Sequence, residues 1–123
     1  MAVNAAIIGY GNQAKRLENI FSSNNIVLRS VYHPTKIFDK SGITNNLEDL
    51  YENDCIFITS PNKTHFGYIQ TLMNDFSGYV FCEKPPVTSK DEVIFLQNLP
   101  EKKKQKIFFN FNFRFSSLSS IIE

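Results

Sequence analysis

The chain has 123 residues, enough for one ordinary domain with its own core and too few for two. Its 13 basic and 12 acidic residues leave a net charge of +1, which excludes the basic excess of a protein that coats nucleic acid. No apolar run reaches the roughly 18 residues of a membrane span, and the start lacks the basic segment of a signal peptide. We therefore expect a cytoplasmic protein that binds neither nucleic acid nor membranes.

The cysteines and the basic run predict no special chemistry. Cys55 and Cys82 lie far apart in apolar runs, which indicates buried thiols in a reducing compartment and no disulfide. Two cysteines and two histidines are scattered without ligand spacing, so no metal site is predicted. The basic run over residues 102–106 is predicted to be a solvated loop.

The first half of the chain alternates predicted strands and helices. Residues 2–8 form a short apolar run that is typical of a buried strand. Residues 12–23 repeat apolar side chains at helical spacing and predict a helix. Residues 26–32 alternate apolar and polar side chains and predict a second strand. A polar loop over residues 33–44 and one or two helical turns over residues 46–52 are expected to follow.

The second half continues the alternation. Residues 55–58 predict a third buried strand. Ser60 is the expected N-cap of the next helix, with Pro61 at its first helical position. That helix is predicted to reach about Asn74.

Two more strands and a helix complete the predicted pattern. Residues 79–82 predict a fourth strand, and Ser89 with Glu92 forms a capping box ahead of a further helix. Residues 106–113 predict a fifth strand. Strands that alternate with helices imply a parallel sheet. We therefore predict one Rossmann-like domain, a doubly wound α/β sheet with its ligand at the carboxyl ends of the strands.

A glycine-rich turn follows the first predicted strand. Gly9, Tyr10, Gly11, Asn12 and Gln13 begin a G-x-G-x-x-A pattern that opens the first helix. The first glycine permits the tight turn, and the second lets the backbone approach a pyrophosphate. Amide groups at the helix N-terminus then face the phosphates. We expect these five residues to bind a dinucleotide, the alternative being a tight turn without ligand.

The acid that would hold the ribose of NAD is missing from the end of the second predicted strand. The chain has His33 at that place, and Asp39 would need a different loop path to substitute. His33 together with Lys36 would accept a 2′-phosphate, which favours NADP slightly over NAD. The alternative is that His33 is an exposed loop residue.

One segment carries a family resemblance. Tyr79–Pro85, an apolar strand that ends in Glu-Lys-Pro, resembles the Gfo/Idh/MocA oxidoreductases, the glucose–fructose oxidoreductase and inositol dehydrogenase family. Residues 59–65 are similar to the family's T-P-N-x-x-H segment, and residues 110–115 to its G-F-N-R-R-F segment. Residues 87–92 resemble the family's entry into the next helix.

The resemblance implies the NAD(P)-binding domain of an oxidoreductase that acts on a sugar, polyol or sugar nucleotide. It implies that Lys84 is catalytic and reaches the nicotinamide and the substrate, the alternative being a surface lysine fixed by the turn before Pro85. It also implies cofactor contacts for Glu83 and for the loop of Ser60, Pro61 and Asn62, which would otherwise be a plain helix cap.

Members of the family run to about twice this length or more, and their second half supplies most of the substrate pocket. We expect residues 1–115 to be the dinucleotide-binding domain and residues 116–123 to begin the connecting helix, with the substrate domain absent. The chain alone is then expected to be inactive and to self-associate as a homo-oligomer. The alternative is a non-catalytic nucleotide-binding or dimerisation module.

Overall fold

The computed structural model describes residues 2–34, 42–83 and 87–109, which form a parallel sheet with helices on both faces. All neighbouring strands run parallel, in the order β3-β2-β1-β4-β5-β6. The strands are β1 (Val3–Ile8), β2 (Ile26–Tyr32), β3 (Ile43–Thr44), β4 (Cys55–Ile58), β5 (Tyr79–Cys82) and β6 (Ile107–Phe109). This order is that of a dinucleotide-binding fold and confirms the predicted doubly wound sheet.

In the described part of the chain, four α-helices and two short 3₁₀ helices connect the strands. The α-helices are α1 (Asn12–Ser22), α2 (His65–Asp75), α3 (Lys90–Gln97) and α4 (Glu101–Lys104). The 3₁₀ helices span Leu47–Leu50 and Asn62–Thr64. Within the described residues, no helix is long and apolar enough to cross a membrane.

The central strands are buried on both faces, which makes two separate cores. On one face, Ile7 and Phe57 pack under Phe21 of α1, with the Phe21 and Phe57 ring centroids 4.9 Å apart. On the other face, Ile8 and other buried strand residues pack against Ile69 and its buried neighbours in α2. Strands covered on both sides read as continuous apolar runs, and this is why β1 and β4 were recognisable from sequence.

Two elements lie inside predicted loops. Ile43–Thr44 adds a two-residue strand, because the Val31 amide donates to the Gly42 carbonyl and the His33 amide to the Thr44 carbonyl, at 2.7 and 2.9 Å. The basic run begins inside a helical turn, α4, with Pro100 at its N-cap. The prediction of a solvated loop is therefore wrong as to the loop, whereas Lys102, Lys104 and Gln105 are exposed as expected. Lys103 differs, because it donates to the Phe76 carbonyl at 3.1 Å.

The start of α2 also differs from the prediction. Pro61 is the N-cap of the short 3₁₀ helix, and α2 begins only at His65. Ser60 caps no backbone amide, since its hydroxyl instead accepts a hydrogen bond from the Thr64 hydroxyl at 2.7 Å. At the other end of the chain, the predicted fifth strand is observed over Ile107–Phe109. Residues 110–115 and the predicted connecting helix lie outside the described residues.

Candidate cofactor-binding site

A cleft of about 550 Å³ opens at the carboxyl edge of the sheet. From β1 the chain proceeds to β2 and β3 on one side and returns to β4 on the other. The loops that follow β1 and β4 therefore lead away from each other and leave a crevice between them. Doubly wound folds bind their ligands in this crevice. The cleft is lined by Ile8, Gly9, Tyr10, Gly11, His33, Pro34, Thr59, Ser60, Pro61, Thr64 and Tyr68.

Gly9 is required by the fold itself. Its φ of +100° lies in a region that other residues avoid. A Cβ there would lie 3.0 Å from Thr59 Oγ1 and 3.1 Å from the Ser60 nitrogen, and the Gly9 amide donates to the Tyr32 carbonyl at 2.8 Å. The first turn of the motif is thus clamped between the ends of β2 and β4.

Gly11 is different, because none of the described residues requires a glycine there. Its φ of −100° suits any residue, and no atom of the described residues lies within 4 Å of the position a Cβ would take. The first helical hydrogen bond of α1 joins the Lys15 amide to the Gly11 carbonyl, so the amides just before Lys15 have no helical acceptor. Open space before unpaired amides at a helix N-terminus fits the pyrophosphate of a dinucleotide.

The loop after β4 forms a second, firmly held wall. Thr59 Oγ1 donates to the Ile8 carbonyl at 2.9 Å, which ties the loop to β1. Buried His65 has its Nε2 2.8 Å from the Ser60 carbonyl oxygen. Of the three residues predicted in this loop, Ser60 and Pro61 line the cleft, whereas Asn62 is exposed outside it.

The β2 side of the cleft carries no acid among its described residues. His33 and Pro34 line it there, and Tyr68 of α2 lies on the same cleft. Burial raises the pKa of Tyr68, with Tyr32 adding to the effect, so its phenol stays protonated. Tyr68 was missed by the sequence reasoning. The available signal was that Tyr68 lies one helical turn after Thr64. This spacing could place Tyr68 on the cleft only once the first residue of α2 was known.

A hydrogen bond joins the glycine turn to the end of β5. Gln13 Nε2 donates to Glu83 Oε1 at 3.3 Å, across 70 residues of sequence. Neither side chain, nor Asn12, lines the cleft itself. Lys84, predicted to be catalytic, and the loop residues Lys36 and Asp39 lie outside the described residues.

A glycine turn at the switch point of a parallel sheet, with open space before α1, defines a Rossmann-type dinucleotide-binding domain. Residues 3–111 match the model of the Gfo/Idh/MocA family, described as an oxidoreductase family with an NAD-binding Rossmann fold. The chain belongs to this family, which confirms the resemblance seen in its sequence. No curated protein matches the chain.

Solved structures share this fold. A scyllo-inositol dehydrogenase from Lactobacillus casei aligns over 89% of the chain, with a TM-score of 0.73 and 19% sequence identity. A myo-inositol 2-dehydrogenase from Lactobacillus plantarum also aligns over 89% of the chain, with a TM-score of 0.70 and 23% sequence identity. The WlbA dehydrogenase from Chromobacterium violaceum, in complex with NADH and UDP-GlcNAcA, aligns over 88% of the chain, with a TM-score of 0.70 and 17% sequence identity. The alignments cover 36%, 36% and 34% of those proteins, so the chain spans about a third of their length.

Proposed function

We propose that this chain is the cofactor-binding domain of a nicotinamide-dependent oxidoreductase whose substrate is a sugar, a polyol or a sugar nucleotide. The observation that carries the proposal is the open space at Gly11, in front of the first amides of α1. The substrate class is supported by similarity to two inositol dehydrogenases and to a dehydrogenase bound to NADH and UDP-GlcNAcA.

The strand order gives the dinucleotide a direction. In such folds the adenosine ribose lies at the end of the second strand, here beside His33. With the pyrophosphate against the backbone of residues 9–13, the nicotinamide half extends the other way, over β4 towards β5. Ser60 and Pro61 would line its path, with Asn62 at the rim and Glu83 at the far end.

A bound oxidised nicotinamide would accept the hydride when a substrate hydroxyl is oxidised to a carbonyl, and the reduced form would return it in the reverse reaction. The chain's part is to bind and orient this group and to help move a proton. We assign proton movement to Lys84, because a lysine that follows β5 would emerge at the same sheet edge and hydrogen-bond a substrate hydroxyl. We also propose a slight preference for NADP over NAD, since the described cleft has no carboxylate that would repel a 2′-phosphate.

We expect the chain alone not to turn over a sugar. The described residues border the cleft from a single edge of the sheet, so they do not hold a substrate in place. Substrate positioning accounts for about 7–11 kcal/mol of an enzymatic barrier, and the chain would lack this contribution. Purified chain would be incubated with NAD or NADP and a panel of sugars, polyols and sugar nucleotides, following absorbance of the reduced cofactor. Turnover near 1 s⁻¹ that disappears in Lys84→Ala would show that this domain is complete by itself.

We also expect self-association, because β6 is the last strand of the sheet among the described residues. Its Phe108 is only half-buried and is followed by Phe111 and Phe113 in the sequence. Sedimentation at micromolar concentration should show a species larger than the 14.2 kDa monomer. A purely monomeric boundary would count against this part of the proposal.

The test of the binding site compares two glycines. Gly11→Val fills the open space before α1. Gly67→Val adds the same side chain in α2, where a Cβ also meets no atom of the described ranges within 4 Å. Binding is followed by NADH fluorescence, and folding by thermal unfolding. We expect Gly11→Val to weaken NADH at least about tenfold while the fold is kept, and Gly67→Val to bind like the parent. Equal affinities in the parent and Gly11→Val would refute the site.

A further inference from the structure

Gln13 and Glu83 connect the two ends of the proposed cofactor path. Gln13 is the second residue of α1, and Glu83 directly follows β5. In the sheet β5 is separated from β1 by β4, so the strands that precede these residues are not neighbours. The hydrogen bond from Gln13 Nε2 to Glu83 Oε1 therefore bridges the sheet edge above β4.

The pair is well placed, and its hydrogen bond is a long one. The Gln13 amide N–H donates to the Glu83 carboxyl oxygen at 3.3 Å, so its contribution is the relative placement of the two residues. Among the described residues, Glu83 forms no ion pair, and Gln13 is its hydrogen-bond donor. Both side chains are half-buried, so water competes only partly for the bond.

From this contact we propose that Gln13 is a positioning residue: it fixes the Glu83 end of β5 relative to the glycine turn, and so sets where the nicotinamide ring of the dinucleotide is bound. The inference rests on the proposed function. The backbone amide of Gln13 serves the pyrophosphate whatever side chain it carries. The side chain, in contrast, acts only through Glu83. Removing it should therefore weaken a ligand that extends to β5 and spare one that stops short of it.

The experiment is a double-mutant cycle with two probes, NADH and ADP-ribose, which lacks the nicotinamide. The variants are Gln13→Leu, Glu83→Leu and the double change, with Glu83→Gln as the conservative variant that still accepts from the Gln13 amide. Gln70→Leu, at an exposed position in α2, is the matched control and should leave both affinities unchanged.

We expect each leucine variant to weaken NADH roughly 3- to 30-fold, and the double variant to be no worse than the weaker-binding single variant. Glu83→Gln should stay within about twofold of the parent, and ADP-ribose affinity should change less than about twofold throughout. Effects that multiply in the double variant, or an equal loss for ADP-ribose, would overturn the proposal. Failure of the parent to bind NADH at all would instead refute the proposed function.

Discussion

His65 Nε2 lies 2.8 Å from the carbonyl oxygen of Ser60, and the imidazole is only 1% exposed. A carbonyl can only accept, so Nε2 carries the proton. The bond fixes the backbone of Ser60, which lines the cleft, to the first turn of α2, and it makes His65 a brace for the loop that follows β4.

Loss of this brace should cost stability and affinity together. We expect His65→Ala to lower the free energy of unfolding by about 1–3 kcal/mol, because it leaves a cavity at a buried side chain and removes the donor to the carbonyl of half-buried Ser60. NADH affinity should fall as well, since the Ser60 loop loosens. Urea unfolding and NADH titration measure the two effects, with exposed Lys63→Ala as the control. Unchanged stability in His65→Ala would show that the bond does not brace the loop.

Gly9→Ala should damage the fold, in contrast to a change at Gly11. The alanine would have to adopt a φ of +100° and bring its Cβ to 3.1 Å from the Ser60 nitrogen. We expect a loss of about 1–3 kcal/mol in the free energy of unfolding by urea. Gly11→Ala should be nearly neutral by the same measure. Equal losses at the two positions would mean that the second glycine is also required by the fold.

An acid at the end of β2 should reverse the expected cofactor preference. His33→Asp places a carboxylate where the described cleft has none, and like charges placed together disfavour a 2′-phosphate. We expect NADPH to bind at least about tenfold more weakly to this variant, with NADH little changed. The parent's dissociation constants for both cofactors are compared at the same salt concentration. A parent that binds NAD tenfold more tightly than NADP would contradict the preference.

The two thiols should be inert in the folded chain. Burial raises the pKa of Cys82 to about 12, with Glu83 adding to the effect, and burial also raises the pKa of Cys55. The thiolate is the reactive form, so a thiol reagent at about pH 8 should label these residues only after unfolding. Rapid labelling of the native chain would contradict their burial.

The same pKa shifts predict a pH dependence. Unfolded thiols ionise near their ordinary value of 9.0, whereas the folded ones keep their protons. The unfolded chain therefore binds fewer protons, and stability should fall as the pH rises from about 9 towards about 12. Urea unfolding at several pH values measures this fall, which should be shallower in Cys82→Ala. A stability that rises over this range would reverse the expected sign.

The fold was largely predictable because its central strands are buried on both faces. Residues 55–58 and 79–82 were recognised as strands for this reason. The glycine turn was recognisable because its motif lies between a predicted strand and a predicted helix. The two-residue strand at Ile43 was missed, because its evidence is a pair of backbone hydrogen bonds and no periodic pattern. The order of the strands in the sheet could not be predicted either, because it depends on pairing between strands that are distant in the sequence.

The candidate site was less predictable, because side-chain hydrogen bonds shift local boundaries. A serine before a proline looked like an N-cap, yet the Ser60 hydroxyl accepts from Thr64 and a 3₁₀ turn precedes α2. The Gln13–Glu83 contact spans 70 residues, beyond the reach of any local rule. The role of Lys84 stays a prediction from the family resemblance.

Amide chemical shifts during an NADH titration test the central claim, that a dinucleotide lies against the glycine turn. With the chain labelled with ¹⁵N, we expect the largest changes at Gly9, Gly11 and Asn12, smaller ones at His33 and Ser60, and almost none along α3. The amides before Lys15 should respond most, because they would face the pyrophosphate directly. Shifts concentrated along α2 and α3, with the Gly11 amide unmoved, would contradict the account.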